Sequence, residues 1–167
     1  MKYGQPAQYK MQNIETEIRD LFQFAFNNPQ NEQRIVTVFE TLEENLIEKI
    51  KLATDIDLTG FAVEMDNYGI KHAIEGHGND ERESKRGQIG ITISDFERTP
   101  LILQAFDTVR YDFRGAAEKH NLRESIVFEK CIDNQYIIAM ELRRVTKKGK
   151  QNRLVFQTMY IKKLSIS

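Results

Sequence analysis

Apolar residues recur at helical spacing early in the chain and at alternate positions late in it. Ile14, Ile18, Leu21, Phe22, Ala25 and Phe26 fall three or four apart, on one face of a helix that Asn27-Asn28-Pro29 terminates. Ile35 to Phe39 reads as a short strand, and Leu42, Leu46, Ile47, Ile50 and Leu52 then form a second helical stripe. Phe61, Val63 and Met65 alternate with Ala62, Glu64 and Asp66, the period of a strand that runs out at Asn67. A helix of about three turns should follow, stopped at Gly76, and Gly78 to Gly90 (GNDERESKRGQIG) reads as an exposed loop. Thr92 and Ser94 are candidate caps for a helix carrying Phe96, Leu101 and Leu103, which Pro100 interrupts. In the last third Ser125 to Ile132, Tyr136 to Val145 and Arg153 to Lys163 alternate with period two. Asp133-Asn134 and the stretch from Lys147 to Asn152 mark hairpin connections. The pattern predicts an α+β fold ending in an antiparallel meander of at least three strands.

Length adds that 167 residues suffice for one domain with its own core, without disulfide staples. Cys131 is the only cysteine, which fits a reducing compartment and excludes multi-cysteine zinc chemistry such as that of zinc deaminases. No apolar run approaches the length of a membrane span and the start carries no signal-peptide core, so cytoplasmic residence is expected, in a host cell if the chain is phage-encoded. The net charge of −1 hides an asymmetry: residues 123–167 hold ten Lys and Arg against four Asp and Glu, a net of +6, which leaves −7 for the rest. That layout suits a polyanion approaching one end, and equally an ordinary solvated hairpin.

The chemistry concentrates in the segment KHAIEGHGN. His72 and His77 lie five residues apart, which on an unbroken helix separates them by roughly 140°. This is not the i and i+4 spacing of a helical metal pair. The two converge only if the helix stops at Gly76 and His77 turns back. Two imidazoles so placed suit proton transfer near neutrality, though capping or surface histidines fit the same spacing.

KHAIEGHGN on a helix, a charged loop with Glu81 and Arg86-Gly87-Gln88, the stretch ITISDFERTPLIL and the terminal strand FQTMYIKK together resemble the phage-associated nucleases of the barnase/EndoU/colicin/RelE-like superfamily. The likeness runs from about Ile35 to Lys163. It divides the chain into residues 1–30, an amphipathic helix expected to serve docking or homo-oligomerisation, and residues 31–167, the nuclease domain. What the resemblance implies is N-terminal helices packed on a curved antiparallel sheet of about four strands. The implied activity is that of a metal-independent endoribonuclease with no cofactor, leaving a 2′,3′-cyclic phosphate and a 5′-hydroxyl. RNA is the implied partner, with an inhibitor or antitoxin protein as another and no membrane.

Mapped onto this chain, His77 and His72 are the proton-transfer candidates. Arg86 offers forked donors to phosphate oxygens, or is an ordinary loop charge. Thr158 alternates onto the strand face of Phe156 and Tyr160, placing a hydroxyl and a ring about 7 Å apart to bind phosphate and stack a base, or merely to pack. Lys130 and Glu141 interrupt apolar strands and either bind substrate or pair with each other or with Arg143. Arg143, Lys147 and Lys148 belong to the basic hairpin expected to follow the RNA backbone. Two other readings compete: a non-catalytic phage structural or nucleic-acid-binding module, and an enzyme of DNA. The latter would need another mechanism and a metal, for which no carboxylate cluster stands out.

Overall fold

The computed structural model describes residues 7–27, 32–114, 123–145 and 150–164, with the backbone alone at residues 7–12. The first element is α1 (Ala7–Asn27), which ends where the Asn-Asn-Pro breaker was read. Its stripe of Ile18, Leu21 and Ala25 is buried in the same core as the rest of the chain. Phe22 sits against Phe96, with ring centroids 5.7 Å apart, and Arg19 reaches Glu97 at 2.7 Å. The helix expected to be a docking arm thus packs its apolar face inward.

Strand β1 (Ile35–Phe39) leads to α2 (Glu44–Thr54), which buries Leu46 and Ile50. Leu52, read as part of that stripe, is 80% exposed because it lies two residues past Ile50 and on the opposite side of the helix. Strand β2 (Ala62–Asp66) passes directly into α3 (Asn67–His77), whose first turn is capped by the Asp66 carboxylate accepting from Gly69 N–H at 2.7 Å. Next come α4 (Asp80–Ser84), the two-residue β3 (Gln88–Ile89), α5 (Ile93–Glu97) and α6 (Thr99–Gln104). Of the two candidate caps it is Thr92 that starts α5, in a capping box with Asp95, while Ser94 lies inside the helix. Pro100 lies in the first turn of α6, where its missing N–H costs nothing, so it starts a second helix after ending the first.

The chain closes with β4 (Thr108–Arg114), β5 (Arg123–Ile132), β6 (Asn134–Arg143) and β7 (Arg153–Lys162). Asp133 turns between β5 and β6 at φ +62°. The described strands form one sheet of seven, ordered β1-β2-β7-β6-β5-β4, with β3 also on β7. This corrects the expectation of about four. The strands not read from the sequence are the two-residue β3 and β4, although TVRYDFR does alternate Val109, Tyr111 and Phe113 with polar residues at the strand period. Against the expected all-antiparallel sheet, β2 runs parallel to β7.

The edge of β7 is shared. β2 covers Arg153 to Val155 and β3 covers Ile161 and Lys162. Between them α3 lies so close that a Cβ on Gly69 would stand 2.7 Å from the Phe156 carbonyl oxygen. Only glycine admits that approach. One sheet face packs under the helices through Ile126, Phe128, Ile138, Met140, Leu154, Phe156, Met159 and Ile161. There the Tyr136 hydroxyl donates to Asp95 at 2.6 Å, and burial together with that bond pushes the phenol up to about 12, so it stays a neutral donor.

The other face carries Arg110, Asp112, Ser125, Val127, Ile137, Ala139, Gln157, Thr158 and Tyr160 around a depression of about 80 Å³. Here another expectation is corrected: Phe156 does not share the face of Thr158 and Tyr160. The β6 partners run Met140↔Phe156 and Ala139↔Thr158, so Gln157 is an extra residue, a bulge that reverses the alternation. Phe156 therefore points into the core against Phe96, while Thr158 and Tyr160 face outward.

Candidate active site

Helix α3 does not stop at Gly76. It continues through His77 and is closed by Gly78, whose N–H reaches the Ile74 carbonyl at 2.7 Å. A Cβ on Gly78 would lie 2.6 Å from that same oxygen, so glycine is required for proximity rather than for a left-handed turn. His72 and His77 therefore stand on one continuous helix, roughly 140° apart, and do not converge. His72 is exposed; His77 is partly buried at the end next to β7.

Gly78 to Gly90 is folded rather than an open loop. The Asn79 side chain accepts from Arg82 N–H at 2.9 Å and starts α4, and Arg82 donates to the Glu75 carbonyl. The Asp80 carboxylate accepts from Gly90 N–H at 2.7 Å, and the His77 carbonyl accepts from Ile91 N–H at 3.0 Å. These bonds draw the segment into a closed excursion, with one result that matters for chemistry. The Glu83 side chain is turned inward and is 0% exposed.

Glu83 lies between an imidazole and a guanidinium. Its Oε2 is 3.2 Å from His77 Nδ1 and its Oε1 is 3.3 Å from Arg86 Nη1. A carboxylate acceptor at Nδ1 favours the ring tautomer protonated there, which leaves Nε2 as the other ring nitrogen. The His77 side chain is 22% exposed and that of Arg86 52%, so both remain within reach of a ligand. The ring of Tyr160 lies 5.5 Å from the imidazole, which joins this cluster to the outward sheet face. His77, Arg86 and Tyr160, separate in the sequence, are thus brought together. Thr158, two residues before Tyr160 on β7, shares its face.

The remaining candidates divide. Lys130 is opposite Tyr136 on the helix-covered face and pairs with Asp107 at 3.4 Å, so it is neither a partner of Glu141 nor near the cluster. Asp107 is held below the usual carboxylate range, chiefly by the Cys131 N–H and then by Lys130. Glu141 and Arg143 are on the outward face and pair with each other at 3.7 Å. Lys147 and Lys148 lie outside the described residues. Sequence reasoning missed Glu83, which sits in DERESKR among charges of the kind that usually face water, and it missed Ser125 and Gln157 on the outward face. Among the described residues no group of three or more His, Cys, Asp or Glu side chains is placed to hold a metal ion.

An imidazole oriented by a buried carboxylate, beside a guanidinium and at the rim of an outward sheet face, is equipment for acid–base chemistry on an anionic substrate. Comparison with known families supplies the class. Residues 41–167 match the model of the phage-Barnase-EndoU-ColicinE5/D-RelE like nuclease 3 family, and the chain belongs to that family of nucleases. The match begins just before α2, leaving α1 and β1 outside it. No curated protein and no solved structure matches the chain. No described helix is long and apolar enough to cross a membrane.

Proposed function

We propose that the protein is an endoribonuclease that cleaves RNA by attack of the ribose 2′-hydroxyl on the adjacent phosphorus, without a metal ion. The observation that carries the reading is the His77–Glu83–Arg86 cluster at the edge of the sheet face that bears Thr158 and Tyr160. Nε2 of His77 takes the 2′-hydroxyl proton, and Glu83 stabilises the imidazolium that forms. Arg86 and the Thr158 hydroxyl donate to the non-bridging oxygens as charge grows on them. The bond from phosphorus to the 5′-oxygen then breaks, and that oxygen leaves with a proton from the phenol of Tyr160, whose ring centroid lies 5.5 Å from that of His77. The products are a 2′,3′-cyclic phosphate and a 5′-hydroxyl. His72 has no part in this scheme, because its helix carries it away from the cluster.

An oligoribonucleotide with one deoxyribose at the cleaved position tests the mechanism. It should be bound yet uncut there, while its all-ribose counterpart is cleaved. Equal cleavage of both would refute attack by the 2′-hydroxyl, and binding without cleavage of either would favour the binding-module reading.

A further inference from the structure

We infer that the depression beside the β7 bulge is a nucleobase subsite selecting uracil or guanine, with Gln157 as the residue that reads the base. The inference takes its substrate class from the endoribonuclease reading, but it stands on residues other than the His77 cluster.

Because Gln157 is the extra residue of the bulge, it shares the outward face with its neighbour Thr158 instead of alternating away from it. Its side chain reaches past β6 to β5, where the Ser125 hydroxyl donates to Oε1 at 2.9 Å. Ala139 on the intervening strand is small enough to leave room. With Oε1 so engaged, Nε2 keeps two N–H donors for which no acceptor is found among the described residues. Asp112 lines the same depression. Its Oδ2 accepts from Arg114 at 3.1 Å, which leaves the other carboxylate oxygen to accept.

The accessible apolar surface suits a flat heterocycle. Val127 and Ile137, outside the main core on the outward side of the sheet, are 3% and 1% exposed and lie covered beneath their neighbours. Above them Ala139 and the Tyr160 ring are the apolar surface open to a base. Stacking on such a surface is indifferent to base identity, so discrimination falls to the polar groups. A donor from Gln157 beside an acceptor from Asp112 complements a carbonyl beside a ring N–H. Uracil presents that edge at O4 and N3–H, and guanine at O6 and N1–H. Adenine and cytosine present an amino donor beside a ring nitrogen acceptor, which sets donor against donor and acceptor against acceptor. Among the described residues Arg110, at the rim, forms no ion pair and is available to the phosphate that the base carries.

Two readouts test the subsite. Cleavage-site mapping on a random-sequence RNA pool should show uracil or guanine preferred at one position beside the cut by roughly 10- to 100-fold, the discrimination expected of paired polar contacts to a base edge. In Gln157→Ala and in Ser125→Ala that ratio should collapse toward one, whatever the total rate. Titration of wild-type protein with 3′-UMP, 3′-GMP, 3′-AMP and 3′-CMP, followed at the Gln157 side-chain amide by NMR, should show shifts with the first two only. An unchanged base preference in a folded Gln157→Ala protein overturns the proposal, as does an amide that responds equally to all four nucleotides. Selective shifts in a protein that cuts no RNA would leave the subsite standing and refute the nuclease reading; cleavage with no base preference would do the reverse.

Discussion

Glu83 is the residue on which the proposed chemistry most depends without touching substrate. Its carboxylate holds His77 in the tautomer that leaves Nε2 free, and it partners Arg86 with its other oxygen. Glu83→Gln keeps the size and removes the charge, and its amide can hold the ring in the wrong tautomer. Turnover should fall on the order of 10²-fold or more while circular dichroism stays unchanged, as expected when an orienting carboxylate is neutralised beside a catalytic histidine. A Glu83→Gln protein with wild-type kcat would show that Glu83 only packs. The segment KHAIEGHGN announced itself in the sequence because two histidines flank a helix end. Glu83 did not, because nothing local separates it from Glu81 or Arg82; its burial follows from Asn79 capping α4 and Asp80 tying down Gly90. His72 was misleading for a matching reason. Gly76 looked like the stop, but the helix runs on through His77 to its cap at Gly78.

The element that places the site is α3, through its contact with β7. Gly69 allows the helix to lie against Phe156, which brings His77 at its far end to Tyr160. Gly69→Ala should destabilise the fold by about 1–3 kcal/mol in urea denaturation, the cost of overpacking a contact that cannot relax freely. It should also lower activity more than this instability explains, since the helix end moves with the helix. Unchanged stability would mean that the two elements are not held as described. Strands β5, β6 and β7 were legible from period two, and the bulge left a trace there too. Leu154 and Phe156 are two apart, Met159 and Ile161 are two apart, but Phe156 and Met159 are three apart. That phase shift was the available sign that Phe156 and Thr158 face opposite ways. Strand β4 carried the same period-two sign in Val109, Tyr111 and Phe113 and was overlooked, whereas the two-residue β3 is too short for any pattern to reveal.

At the scale of the molecule, one sheet separates two sides: the helices build a core on one, and the other is the outward face with the His77 cluster at its rim. Helix α1 belongs to the core although it lies outside the family match. Deleting residues 1–27 uncovers Phe96 and the core around it, so the truncated chain should lose its near-UV dichroism and cooperative unfolding. A cooperatively folded product would instead make α1 a separate docking element. The charge asymmetry was legible from composition alone, but composition could not say that Lys130 points to the helix side while Arg110, Arg143 and Arg153 accompany the outward strands. The central claim is that this face and its rim cut RNA with side chains only. The most direct measurement follows end-labelled RNA in EDTA with wild-type protein and with His77→Ala. The wild type should cut at full rate and leave 2′,3′-cyclic phosphate ends, while the folded variant should lose activity by ~10² or more, as for removal of a general base. Cleavage that EDTA abolishes and magnesium or zinc restores, or an undiminished rate in His77→Ala, would contradict it.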